Sequence, residues 1–175
     1  QRKILHSLSL RQQDSLCYQN LSSVDIAREI ENNSTRLYER NNTDADFLTF
    51  SIGTSRVDSS YTIKYSSDAL GEFDDPLVAE MQQLCEKYSY IDNMPIVLDL
   101  KKAHVGIIGE TRFTHSVIKN IVAQLCFFHS YHDVEIIAIF EKTDRDVYEW
   151  MRWYPHFKIH SINMYGLVDN ESVRD

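Results

Sequence analysis

The chain has 175 residues, 43% of them hydrophobic, and a formal net charge of −8. That length supports a proper core, while the acidic balance and scattered Lys and Arg disfavour direct gripping of nucleic acid or anionic lipid. Cys17, Cys85 and Cys126 are far apart, form no CxxC pair and, being odd in number, suit a reducing compartment. No apolar run approaches the ~20 residues that span a bilayer, and no signal peptide is visible. The start at Gln1 and the polar end, residues 169–175, read as a piece of a longer protein.

Residues 1–17 are helix-compatible, with Leu5, Leu8 and Leu16 among many polar positions. Residues 18–22 break the pattern, and Ser22 with Asp25 forms a capping-box signal for a second helix. Ala27, Ile30, Leu37 and Tyr38 then suggest one face of a helix running to about Arg40. Residues 41–46 are a polar turn, and residues 47–52 and 61–65 are strand candidates separated by Gly53 and Asp58-Ser59-Ser60. Asp75-Pro76 predicts a helix start, with Leu77, Met81, Leu84 and Cys85 on one face and an end near Tyr88. Pro95 opens a strand over residues 96–98.

Residues 104–117, HVGIIGETRFTHSV, read as a buried strand, a tight turn and the start of a helix that runs from Thr111 to Phe128. A strand over residues 134–140 follows, then a helix from the Thr143/Asp146 capping pattern to about Trp153, a stop at Pro155 and a strand over residues 157–162. Residues 135–140 lack polar alternation and fit a strand buried on both faces. The β-α-β-α-β order from His104 predicts an α/β layered fold with a mostly parallel sheet and right-handed crossovers.

The turn is the setting of a phosphate-binding loop. Its template is Gly, four residues, Gly, Lys, then Ser or Thr. From Gly109 the first glycine and the hydroxyl of Ser116 match, but Thr114 stands for the second glycine and His115 for the lysine. Thr114 adds a Cβ that narrows a cradle of backbone N–H groups, and His115 is shorter than lysine and mostly neutral at pH 7. Glu110 would repel phosphate at the mouth. A register from Gly106 puts Arg112 at the lysine position but Phe113 at the hydroxyl, and its first glycine falls inside the strand. Two readings stand here: a nucleotide site using Gly109, Thr114, His115 and Ser116, or a tight β-α turn with Thr111 as a helix cap.

Other constellations are weaker. The strand ending Ile139-Phe140-Glu141 has the apolar-then-acid pattern of a metal-binding strand, which is common in buried strands generally. His129 and His132 lack evident further ligands, so no metal site is expected. Trp150-Met-Arg-Trp153-Tyr-Pro155-His156 is an aromatic cluster that suits either core packing or an interface, where Trp, Tyr and Arg serve as anchors.

Four stretches in order carry a resemblance: Ser34-Thr-Arg-Leu-Tyr-Glu-Arg40, Asp46-Phe-Leu-Thr-Phe-Ser-Ile-Gly53, Tyr90-Ile-Asp-Asn-Met-Pro-Ile-Val-Leu-Asp-Leu-Lys-Lys102 and Trp150-Met-Arg-Trp-Tyr-Pro-His156. Over residues 23–163 the chain resembles the cytosolic, membrane-proximal segment of EssC/YukB-type proteins, the FtsK/SpoIIIE-like ATPases of type VII (ESX) secretion in Firmicutes. The resemblance implies a helical stalk over residues 1–43. It implies a degenerate three-layer P-loop ATPase-like α/β domain over residues 44–175, cut short at its C-terminal end, with the second acidic motif beyond Asp175. It implies a non-catalytic module that couples or regulates a motor exporting small helical WXG100-type proteins, with the parent chain in the cell membrane and this segment on the cytoplasmic side. Implied partners are the motor's other domains, other membrane components of the system and WXG100-type substrates, with no nucleic acid. The family's P-loop maps only onto Gly109 and Ser116, so no cofactor is expected. ATP with Mg²⁺ bound through an atypical loop is the alternative, and a DNA-pumping relative the further one.

Overall fold

The structure, a computed structural model, describes residues 2–63 and 76–169. It is of mixed α/β class, and its contacts gather the chain into two units. The first comprises residues 1–21 and 51–98, the second residues 22–50 and 99–175.

In the first unit, helix α1 (Arg2–Gln19) turns Leu5, Leu8, Gln12 and Leu16 to one half-buried side. Polar residues interrupt that stripe, so α1 has no fully buried residue. It packs on α3 (Pro76–Ser89). The side of α3 that is withdrawn from solvent holds Met81, Leu84, Cys85 and Tyr88, as the spacing predicts. Asp75 and the side chain of Leu77 lie outside the described residues, as do residues 64 and 65 of the second strand candidate. Residues 61–63 make no strand.

Strands β1 (Thr49–Asp58) and β2 (Tyr90–Asp99) pair as a two-stranded ribbon. Both outrun their sequence signals. Gly53 does not break β1: it lies inside the strand, with open space where a Cβ would stand. Pro95 sits inside β2 rather than opening it; a two-stranded ribbon leaves one edge free, where a missing N–H costs no ladder bond. Arg56 reaches Asp92 across the ribbon at 2.7 Å.

In the second unit, α2 (Ser23–Glu31) packs on α4 (Thr111–Phe128). The Ser22 cap forms as expected, its hydroxyl accepting the Asp25 N–H at 3.2 Å. The helix stops nine residues short of the expected end at Arg40. Asn33 adopts a left-handed φ of 50° and Ser34 N–H turns back to Glu29 O, a closure that satisfies the last carbonyls. Ile26 is its buried residue, while Ala27, Ile30 and Leu37 of the expected face are exposed.

Residues 36–50 then wrap the carboxyl end of α4. Tyr38 and Arg40 donate backbone N–H groups to Phe127 O and Phe128 O. The Arg40 side chain donates to Thr49 O at 2.8 Å, pairs with Asp46 at 3.1 Å and stacks 4.0 Å from the centroid of the Phe128 ring. The polar turn at residues 41–46 forms around Asp44, which accepts the Asn41 N–H.

Helix α4 has the expected bounds, Thr111–Phe128. Its Val122 and Cys126 form a core with Met151 and Phe157. Strand β3 (Ala138–Ile139) pairs in parallel with β6 (Leu167–Val168), and β4 (Lys158–Ile159) pairs antiparallel with β5 (Met164–Tyr165). Gly166 is required between β5 and β6, because a Cβ there would lie 2.8 Å from Ile136 O. The expected capping box at Thr143 does not form: residues Lys142–Asp144 and Glu149–Trp153 are 3-10 turns flanking α5 (Arg145–Tyr148), and Asp144 caps α5 without a side-chain bond. Pro155 opens a further 3-10 turn, Pro155–Phe157.

The strand expected over residues 104–108 does not form among the described residues, and Ile108 is 98% exposed. An extended segment becomes a strand only when a neighbour takes its N–H and C=O groups. Residues 134–140 likewise form a shorter strand than expected, and Ile137 and Ile139 are exposed where burial on both faces was anticipated. Core residues pack against Ile136 and Ala138, so alternate positions fall on the uncovered side. The described residues thus assemble three two-stranded pairs. No described helix is long and apolar enough to cross a membrane.

Candidate functional site

The loop before α4 is exposed. The Phe113 ring edge lies 3.2 Å from where a Cβ on Gly109 would stand, and both residues face solvent. Thr114 Oγ donates to Glu110 O at 2.9 Å and Ser116 Oγ to Arg112 O at 3.0 Å. Both hydroxyls therefore bond the helix backbone. The His115 ring packs edge-on against Tyr148 at 5.3 Å. Gly109, Thr114, His115 and Ser116 are adjacent, but no polar group of the last three converges on a common point. Glu110 occupies the N-cap position without a side-chain bond, and Thr111, the cap suggested by sequence, is the first helical residue.

The aromatic cluster divides. Trp150 packs on the core with Tyr154 edge-on at 5.9 Å, while Trp153 is 83% exposed. Glu141 lies exposed after β3, and no cluster of three metal-binding side chains occurs among the described residues.

His129 and His156 are buried at the carboxyl end of α4. His129 Nδ1–H donates to Leu125 O, which leaves Nε2 to accept the Leu48 N–H at 2.9 Å. Leu48 has a left-handed φ of 61°, a costly conformation for a branched residue that this bond helps hold. His156 Nε2–H donates to His129 O at 2.8 Å. Burial lowers both histidine pKa values, and for His129 the nearby Arg40 lowers it further, so both rings are neutral at pH 7. They are structural groups.

Burial also pushes the Cys126 thiol up to about 12, so it forms no reactive thiolate at neutral pH. Alkylation with iodoacetamide under native conditions is expected to label exposed Cys17 and leave Cys126 unmodified, read by peptide mass spectrometry. Rapid labelling of Cys126 in the folded chain contradicts its burial.

A cavity of about 140 Å³ opens at the carboxyl ends of the parallel pair, lined by Phe140, Arg145, Glu149, Arg152, Tyr165, Leu167 and Asp169. Strand β3 delivers Phe140 and β6 delivers Asp169 to the same edge. Arg145 pairs with Asp169 at 2.8 Å and Arg152 with Glu149 at 2.9 Å. The guanidinium of Arg152 lies 6.0 Å from the ring centroids of both Trp153 and Tyr165. The sequence reading missed this recess. The strand over residues 157–162 was expected to be the last element, so the hairpin and β6 that bring Tyr165 and Asp169 there were not anticipated.

These features define a mixed α/β segment in which an exposed loop leads into the long helix α4. No family model matches the chain. It is 34% identical to the ESX secretion system protein EccC of Geobacillus thermodenitrificans over 99% of its own length and 12% of that protein. It is 32% identical to the ESX secretion system protein YukB of Bacillus subtilis, again over 99% of this chain and 12% of the relative. The type VII secretion system protein EssC of Staphylococcus aureus is 28% identical over 94% of this chain and 11% of its own length. The chain belongs to the EccC, YukB and EssC family of ESX, or type VII, secretion-system proteins, and spans 12% of the length of the first two relatives.

Proposed function

We propose that the chain is a non-catalytic module of a type VII secretion motor, placed on the cytoplasmic face beside the membrane anchor of its parent. It couples or regulates the parent's ATPase domains during export of WXG100-type proteins, through contacts with those domains and with other membrane components of the system. On this reading the segment descends from a three-layer P-loop domain. The parallel pairing of β3 with β6 and the loop-to-helix connection before α4 support that ancestry.

The observation that carries the non-catalytic reading is His115 at the lysine position, its ring packed edge-on against Tyr148. A Mg²⁺-nucleotide site needs a permanent cation there. One feature favours the alternative of ATP binding through an atypical loop: the first turn of α4 has no side-chain cap, so it retains N–H groups suited to an anion. The further alternative, DNA translocation, has the charge of −8 against it.

Titration calorimetry with Mg-ATP tests the reading. No saturable heat is expected up to about 1 mM nucleotide, a concentration at which even a 4 kcal/mol interaction would register. Saturable binding that Ser116→Ala or His115→Ala weakens overturns it.

A further inference from the structure

We propose that the recess at the carboxyl ends of β3 and β6 docks an acidic polypeptide segment, receiving one aspartate or glutamate side chain at Arg145 and Arg152. This inference does not rest on the secretion reading, and it concerns a site distinct from the loop before α4.

Three observations lead there. The recess, about 140 Å³, has room for a single side chain and is too small for a nucleotide. Its walls are of two kinds: Phe140 and Leu167 are apolar, while Arg145 and Arg152 supply charged donors. That combination matches a carboxylate on a methylene stem better than a bare inorganic anion, which would leave the apolar wall wet. The recess also lies at the carboxyl ends of the paired β3 and β6, where Phe140 and Asp169 leave the ladder together.

Each arginine at the site is paired with one acid, Arg145 with Asp169 and Arg152 with Glu149. The Asp169 side chain is 14% exposed behind Arg145, which is 61% exposed. Each arginine uses one Nη in its ion pair, and a guanidinium has five N–H donors, so donors remain at both for a second carboxylate. Arg152 is further held against Trp153 and Tyr165, which lowers the entropy lost when it binds. Its partner Glu149 is itself half exposed, and such a surface pair is readily exchanged for a better-placed carboxylate.

The rim fits a polypeptide. Trp153, Met164 and Tyr165 are exposed, Trp153 lies beside Arg152, and Met164 and Tyr165 form β5, whose Tyr165 lines the recess. Tyr, Trp, Met and Arg are the residues enriched in protein interfaces, with Trp, Tyr and Arg as energetic anchors. The partner segment therefore carries an acidic residue for the recess and a neighbouring apolar residue for Trp153.

The test uses the ¹⁵N-labelled 175-residue chain, followed through the Trp153 indole and arginine Nε–H resonances. The probes are acetyl-Leu-Glu-Leu-amide, its glutamine counterpart and inorganic phosphate. The glutamate peptide is expected to give saturable shifts, and the glutamine peptide to bind about tenfold more weakly, since the charge-assisted bonds are lost. Arg145→Gln and Arg152→Gln should each weaken the glutamate peptide about tenfold at unchanged circular dichroism, whereas Glu149→Gln should tighten it about threefold by removing the competing carboxylate. Equal binding of the two peptides, insensitivity to both arginine changes, or no saturable shift at about 10 mM peptide overturns the proposal. Phosphate binding as tightly as the glutamate peptide, with no shift at Trp153, also overturns it and marks a simple anion site.

Discussion

Phe128→Ala is expected to lower the unfolding free energy by about 3–5 kcal/mol, the usual loss for a fully buried phenylalanine. The ring has no exposed surface and lies at the last position of α4. It supports more than its own contacts. Arg40 stacks on it at 4.0 Å and Arg36 approaches it at 5.6 Å, so the wrap of residues 36–50 is built on this ring. Alanine leaves a cavity under two cations and removes their aromatic partner, at about 0.5–2 kcal/mol for the stronger contact alone. Phe113→Ala is the matched control. Its ring is exposed, and a change within about 0.5 kcal/mol is expected. Urea unfolding followed by circular dichroism measures both. A Phe128→Ala loss near the control value would mean that the wrap does not depend on the ring.

Acidification from pH 7 to pH 5 is expected to destabilise the chain through His129 and His156. Both have pKa values lowered in the folded state, chiefly by burial. Above the unfolded value of about 6.5 neither state binds the proton and the two rings leave stability unchanged. As pH falls through that value, the unfolded chain takes up protons that the folded chain refuses. Stability then drops by up to about 1.4 kcal/mol per pH unit for each ring, and the drop ends below the folded pKa values. The groups facing His129 set the sign: burial and Arg40 oppose protonation, while Asp46 and the bond to Leu125 O only partly offset them. Protonated Nε2 would also point a donor at the Leu48 N–H, which holds the left-handed turn before β1. The His129→Gln, His156→Gln double variant should therefore lose most of the pH slope of its urea midpoint between pH 7 and 5. An unchanged slope in that variant would assign the acid sensitivity to carboxylates.

Local signals in the sequence were read well where a single element decides its own bounds. The Ser22 cap, the Asn41 to Asp44 turn and the full extent of α4 follow from side-chain chemistry and apolar spacing within one segment. The end of α2 was misplaced, because a left-handed Asn33 closes the helix and the apolar residues beyond it join a wrap instead. The sequence offers His129 as a metal-ligand candidate and places His156 in an aromatic cluster, yet both are buried hydrogen-bonding posts. His129 holds Leu48, 81 residues away in the chain, and His156 holds His129 O, 27 residues away, and no local pattern announces either.

By itself, the sequence determined the mixed α/β class, the acidic balance, the extent of helix α4 and kinship with the type VII secretion proteins. Each of these resides in composition, in short-range periodicity or in ordered motifs. Tertiary structure alone decided that the Phe113 ring lies beside Gly109, that the hydroxyls of Thr114 and Ser116 bond backbone carbonyls, and that Arg145, Arg152, Tyr165 and Asp169 share one recess. The physical reason is that strand pairing is non-local. Residues 104–108 have strand composition but find no ladder partner among the described residues, whereas Leu167 and Val168, outside every strand the sequence predicts, become a strand because β3 accepts them.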